Sequence, residues 1–148
     1  AGTVPVTGPG VSVSLTDSPL RGDQIPGDLT VDDLVVHQQD VQGVVNALWR
    51  GGAEAMMIQD QRVISTSAVR CVGNTLILQG RVYSPPFVIT AIGDQDRLQE
   101  ALENDRAVQI YQEYVEAVGL GYEVKVLDEI EAPAYSGSIG LQHATPIR

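Results

Sequence analysis

The chain has 148 residues, 43% of them apolar and 19% charged, which is the balance of a globular domain rather than a disordered segment. A chain of this length buries about 68 to 70% of its unfolded surface on folding, enough for one core. Its net charge of -10, from 19 acids against 9 bases, is the wrong sign for binding nucleic acid, and no apolar run approaches the roughly 20 residues of a membrane span.

In "GPGVSVSLTDSP", Val11, Val13 and Leu15 alternate with Ser12, Ser14 and Thr16, the two-residue period of a strand with one buried face. "LRGDQIPGDLTVDD" follows, rich in Gly, Pro and Asp, and reads as a loop. Its Arg21-Gly22-Asp23 matches an integrin-type tripeptide, but three residues recur by chance and a solvated turn accounts for them.

From Asp40, the apolar residues Val41, Val44, Val45, Leu48 and Trp49 fall on one helical stripe. Asp40 is the expected N-cap, and Gly51 and Gly52 offer the left-handed stop. "AEAMMI" has strand length. Turns are then expected near Asp60, at Gly73-Asn74 and at Gln79-Gly80, so residues 54 to 92 read as an antiparallel meander broken by the prolines of "SPP". "FVITAI" closes it as a continuous apolar run, the pattern of a central strand covered on both faces.

Asp94 caps a helix over "QDRLQEAL", and a second helical stripe runs from Ala107 through Ile110, Tyr111, Tyr114 and Val115 to Val118, with Gly119 as its stop. The last strand, "YEVKVLDEIE", sets Tyr122, Val124, Val126 and Ile130 against Glu123, Lys125, Glu129 and Glu131. The order of these elements predicts an α+β ferredoxin-like sandwich with an antiparallel meander and an added hairpin, its helices on one sheet face. A mixed fold of different topology is the alternative. The whole of 1–148 reads as one domain, with residues 136–148 as a tail.

Charge is segregated along the chain. Residues 61–93 hold Arg62, Arg70 and Arg81 and no acid, with Ser65, Thr66 and Ser67 nearby. Guanidinium forks suit carboxylate or phosphate, so a small-anion site is one reading. The other is that these arginines pair with acids from neighbouring elements or guard strand edges.

Cys71, the only cysteine, excludes an intrachain disulfide. A nucleophile would need His37 or His143 as base. Adjacent strand residues point to opposite faces, so Arg70 would not activate the sulfur, and a packed core thiol is expected. His37, Asp40 and Glu54 can be drawn as a metal set, but their spacing matches no ligand pattern. Asp28, Asp32 and Asp33 lack the glycine and terminal glutamate of a calcium loop. Neither a catalytic motif nor a cofactor fingerprint is present, and no cofactor is expected.

"NALWRGGAEAMMI", "QRVISTSAVRCVGN" and "SPPFVITAIGD", with "TGPGVSVSLTDSP" at the start and "APAYSG" near the end, together resemble the bacterial DUF family 881. The matching positions include His37, Asp40, Asn46, Glu54, Arg62, Arg70, Gly73, Tyr83, Pro86 and Gly93. Asp60 and Gln79 depart from the glycine or asparagine the family often places at those turns.

The resemblance implies an extracytoplasmic domain behind an N-terminal membrane anchor, with an accessory role at the envelope and a link to cell division. A chain beginning at Ala1 without methionine is expected to follow a removed segment. The resemblance carries no established catalytic residues with it. The expectation is a noncatalytic module that contacts envelope proteins or itself. The alternative is an anion-binding module using Arg62, Arg70 and Arg81, with Asn46 and Glu54 as further candidates because no turn or cap explains them.

Overall fold

The computed structural model describes residues 2–137. Eight strands and three helices follow in order: β1 (Val6–Thr16), α1 (Gln38–Arg50), β2 (Ala55–Ile58), β3 (Gln61–Val63), β4 (Arg70–Val72), β5 (Thr75–Leu78), β6 (Arg81–Tyr83), β7 (Phe87–Ile92), α2 (Gln95–Asn104), α3 (Arg106–Val118) and β8 (Gly121–Ala132). The main sheet runs β3-β2-β7-β1-β8, antiparallel throughout. Without β3, this is the strand order of a ferredoxin-like sandwich, as expected. The remaining strands form a separate sheet, β4-β5-β6.

The main core lies between the sheet and the helices. Val11, Val13 and Leu15 of β1 and Phe87 and Ile89 of β7 are sealed there against Leu48 and Leu98, each such side chain contributing about 1.5 to 3 kcal/mol by leaving water. β1 and β7 approach so closely at Gly10 that a Cβ there would lie 1.8 Å from the carbonyl oxygen of Ala91. A smaller cluster of Ala55, Ile92, Ile130 and Ala132 occupies the opposite sheet face.

Four expectations are corrected. α1 begins at Gln38, before Asp40, with His37 in the extended cap conformation. Asp40 is its third residue, and Oδ2 accepts the His37 N–H at 2.8 Å, the reciprocal half of a capping box. The meander is divided: the hairpins of β4–β6 leave the main sheet, and Leu76 and Leu78 pack their inner face onto the core. β7 is central, but its second face is only partly closed: Val88 and Thr90 are half-buried, while Ile92 is sealed in the smaller cluster.

β8 also departs from simple alternation. Gly10 pairs with Leu127 but Gly8 pairs with Ile130, so β8 carries an extra residue at Asp128-Glu129. This bulge turns Ile130 to the face opposite Val124, and Val126 is 48% exposed. The expected turns are present: Gly73 has φ 62°, and Gln59 and Gln79 take φ 55° and 50° where glycine would be unstrained. Gly119 ends α3 with φ 80°. Of the expected tail, residues 138–148 lie outside the described residues.

Candidate functional site

The three arginines of the acid-free stretch go to different places. Arg62, on β3, is 4% exposed, and its Nη1 donates to the carbonyl oxygens of Val4 (2.9 Å) and Pro133 (2.8 Å). It clasps the segment before β1 to the segment after β8. Arg81, on β6, is exposed and lies 3.2 Å from Asp60 Oδ2. Tyr83 donates its hydroxyl to Asp60 Oδ1 at 2.7 Å, and this bond first, with help from the Arg81 charge, holds the Asp60 carboxyl below its usual range. Arg70, on β4, stands exposed on the outer face of the small sheet. The guanidinium groups therefore do not ring one anion pocket, because the chain routes Arg62 inward and engages Arg81 at the β2–β3 turn.

Asn46 is exposed on α1, where its Oδ1 accepts from Gln42 Nε2 at 2.8 Å. Glu54 is exposed after α1 and borders a recess of about 110 Å³ with Arg62 and Trp49. His37 and Asp40 stand at the start of α1 and Glu54 beyond its end, so the drawn metal set is not assembled. Among the described residues no group of three or more His, Cys, Asp or Glu is placed to hold a metal ion. Asp33 instead closes a short 3-10 turn, accepting the Thr30 N–H at 2.8 Å.

A depression of about 800 Å³ lies between the start of α1 and the β4–β5 hairpin and is lined by Asp32, His37, Gln38, Cys71 and Asn74. Cys71 is half-buried and its backbone N–H donates to Gln38 Oε1 at 3.0 Å. Burial, and then the Asp40 charge, push the thiol upward in pKa, away from thiolate. His37 turns Nε2 to within 3.1 Å of Asp32 Oδ1 without hydrogen-bond geometry. Asp40 is itself raised, by burial above all, against the lowering effect of His37. This is a partner-poor cleft whose sulfur is held neutral. His143, the other base considered, lies outside the described residues.

A different surface was not singled out from sequence. In the small sheet, Arg70, Ile77 and Val82 stand in register across three strands, beside Val72 and Thr75. Val72 is 56% and Val82 65% exposed, and both belong to the stretch that contains no acid. The signal was present in the turn at Gly73-Asn74, which fixes the register that lines these residues up.

The molecule is thus a ferredoxin-like α+β domain carrying an appended three-stranded sheet, whose outer face presents Val72, Val82 and Arg70. Its sequence matches the family described as bacterial protein of unknown function, DUF881, over residues 1–145, and the chain belongs to that family. Relatives include the UPF0749 protein Rv1823 of Mycobacterium tuberculosis, 29% identical over 90% of this chain and 45% of its own length. The UPF0749 protein YlxW of Bacillus subtilis is 36% identical over 68% of this chain and 42% of its own length. The chain therefore spans less than half the length of the curated relatives it matches. A crystal structure of an uncharacterized conserved protein from Mycobacterium tuberculosis is similar in fold, with a TM-score of 0.71 and 29% identity over 99% of this chain and 93% of that one.

Proposed function

We propose that this chain is a noncatalytic interaction domain of an envelope protein, held outside the cytoplasm by an anchor elsewhere in the parent polypeptide and serving an accessory role that includes division. The observation that carries the interaction reading is the outer face of the small sheet. Val72 and Val82 present apolar surface to water beside Arg70, in a stretch free of acids within a chain of net charge -10. Apolar side chains beside an exposed arginine suit a docking patch, and that charge fits an acidic surface on another envelope protein.

The Cys71 cleft supports the noncatalytic side of this reading, since burial and the Asp40 charge disfavour the thiolate and His37 is set against the carboxylates of Asp32 and Asp40. Among the described residues no helix is long and apolar enough to cross a membrane. The anchor is proposed from the family resemblance.

The test is cross-linking capture from intact cells expressing the full-length parent, comparing wild type with Arg70→Glu and Val82→Asp. Both substitutions should remove the same captured band, which should also weaken as salt rises. Equal capture by all three proteins would reject the small sheet as the docking surface. A tag on this domain reachable by external protease only after permeabilising the cytoplasm would reject its extracytoplasmic placement.

A further inference from the structure

β8 ends the main sheet, and among the described residues no strand lies beyond it. Which of its backbone groups are free follows from bonds deeper in the sheet. The N–H groups of Glu54 and Gln59 donate to the carbonyls of Ile92 and Val88, each at 2.8 Å, so even-numbered residues of β7 face β2 and odd-numbered ones face β1. Ala91, Ile89 and Phe87 stand opposite Val11, Val13 and Leu15, which leaves the even-numbered residues of β1 to bond β8. Ser14 and Ser12 stand opposite Glu123 and Lys125. Those two therefore direct their N–H and C=O inward, and Tyr122, Val124 and Val126 direct theirs to the open edge.

The side chains divide the same way. Tyr122, Val124 and Val126 lie on the helix side, with Val126 incompletely covered. Glu123 and Lys125 lie on the other face, 67% and 65% exposed at the side chain, with Nζ 4.0 Å from Oε1 along their own strand. Lys125 is the only lysine in the sequence, and it stands in a strand otherwise charged by acids.

An edge of this kind can be extended by a second copy in antiparallel orientation. A two-fold axis passing between residues would set outward-directed backbone against inward-directed backbone, so the axis must pass through a residue. Centred on Glu123 or Lys125, it opposes like charges. Centred on Val124, it places Glu123 of each copy opposite Lys125 of the other, Val124 opposite Val124, and Tyr122 opposite Val126. The outward-directed pairs then exchange both of their backbone hydrogen bonds, and the charged pairs take the closer, non-hydrogen-bonded positions. The overlap ends at Leu127, where the bulge begins.

We propose that two copies of this chain associate through β8 in this register, joining their main sheets edge to edge. The proposal extends the interaction reading but uses a surface separate from the small sheet. Sedimentation velocity across a concentration series tests it. Wild type should show a reversible dimer, and Lys125→Glu and Glu123→Lys should each weaken it by about tenfold or more, since each makes both charged pairs repulsive. An equimolar mixture of the two variants should restore a dimer containing one of each. Val124→Pro, which removes an edge N–H without touching a bond to β1, should abolish association while circular dichroism stays native.

A wild type that remains monomeric at its solubility limit would overturn the proposal, as would variants that dimerise as tightly as wild type or fail to pair when mixed. Val82→Asp should leave dimerisation unchanged, so loss of the small-sheet partner and loss of the dimer are separate results.

Discussion

Arg62 Nη1 donates to the carbonyl oxygen of Pro133 at 2.8 Å, joining β3 to the segment that follows β8. The same nitrogen donates to Val4, so one buried cation organises both ends of the fold. Arg62→Met keeps much of the side-chain volume but removes these donors from their carbonyls. With hydrogen bonds to a charged group contributing about 1.5 to 3 kcal/mol each, we expect a loss of about 2 to 4 kcal/mol, read from the urea midpoint. A change below about 0.5 kcal/mol would show that the clasp is incidental.

Asp105 is buried and serves the junction of α2 and α3. Its Oδ2 accepts the Val108 N–H at 3.0 Å as the N-cap of α3, and its other oxygen meets Arg50. Asp105→Ala should cost about 1 to 2 kcal/mol through the lost cap, with little added from the largely exposed arginine. Asp105→Asn should recover most of that, because an amide oxygen still caps. Equal losses in the two variants would assign the effect to the ion pair instead.

Gly10 has no room for a side chain. A Cβ would lie 1.8 Å from a backbone oxygen that has no rotamer to escape into. Gly10→Ala should therefore destabilise the chain by about 1 to 3 kcal/mol or more, with the m-value unchanged. Gly73, whose Cβ would meet nothing, provides the contrast: Gly73→Asn should be tolerated, since asparagine accepts a left-handed φ.

The two tyrosines at the α3–β8 junction predict an alkaline limit. Burial, followed by the charges of Glu103 and Asp105, pushes Tyr122 up to about 12, and burial raises Tyr111 further. Both phenols are favoured neutral in the folded chain, so their contribution is fully present below the unfolded value of 10.0 and is lost as pH rises through the folded value. Stability should fall between about pH 10 and 12, with delayed absorbance at 295 nm. Tyr122→Phe should flatten part of that fall. Titration of every tyrosine near 10 in the native chain would contradict the assigned burial.

Cys71 should react slowly with iodoacetamide at pH 8 in the native chain and faster in denaturant, because burial and Asp40 disfavour thiolate. Asp40→Asn should speed the native reaction modestly by removing the like charge. Native alkylation faster than that of the unfolded chain would end the noncatalytic reading of this cleft.

The sequence by itself determined what is periodic or locally capped. Val11, Val13 and Leu15 declared β1, the stripe from Val41 to Trp49 declared α1, and Asp94 and Gly119 marked helix ends, because these signals act within a few residues. The order of elements predicted a ferredoxin-like sandwich but left a mixed fold of different topology open, and the assembled sheet decided between them. Tertiary structure decided where the arginines went, since charge along the chain does not say that Arg62 will meet carbonyls 58 and 71 residues away. It also decided that the meander would divide between two sheets, and that one extra residue at Asp128-Glu129 would turn Ile130 away from Val124. A strand's side-chain alternation is local, but the partner against which register is kept or broken lies on a distant part of the chain, and only the assembled sheet fixes which face each residue occupies.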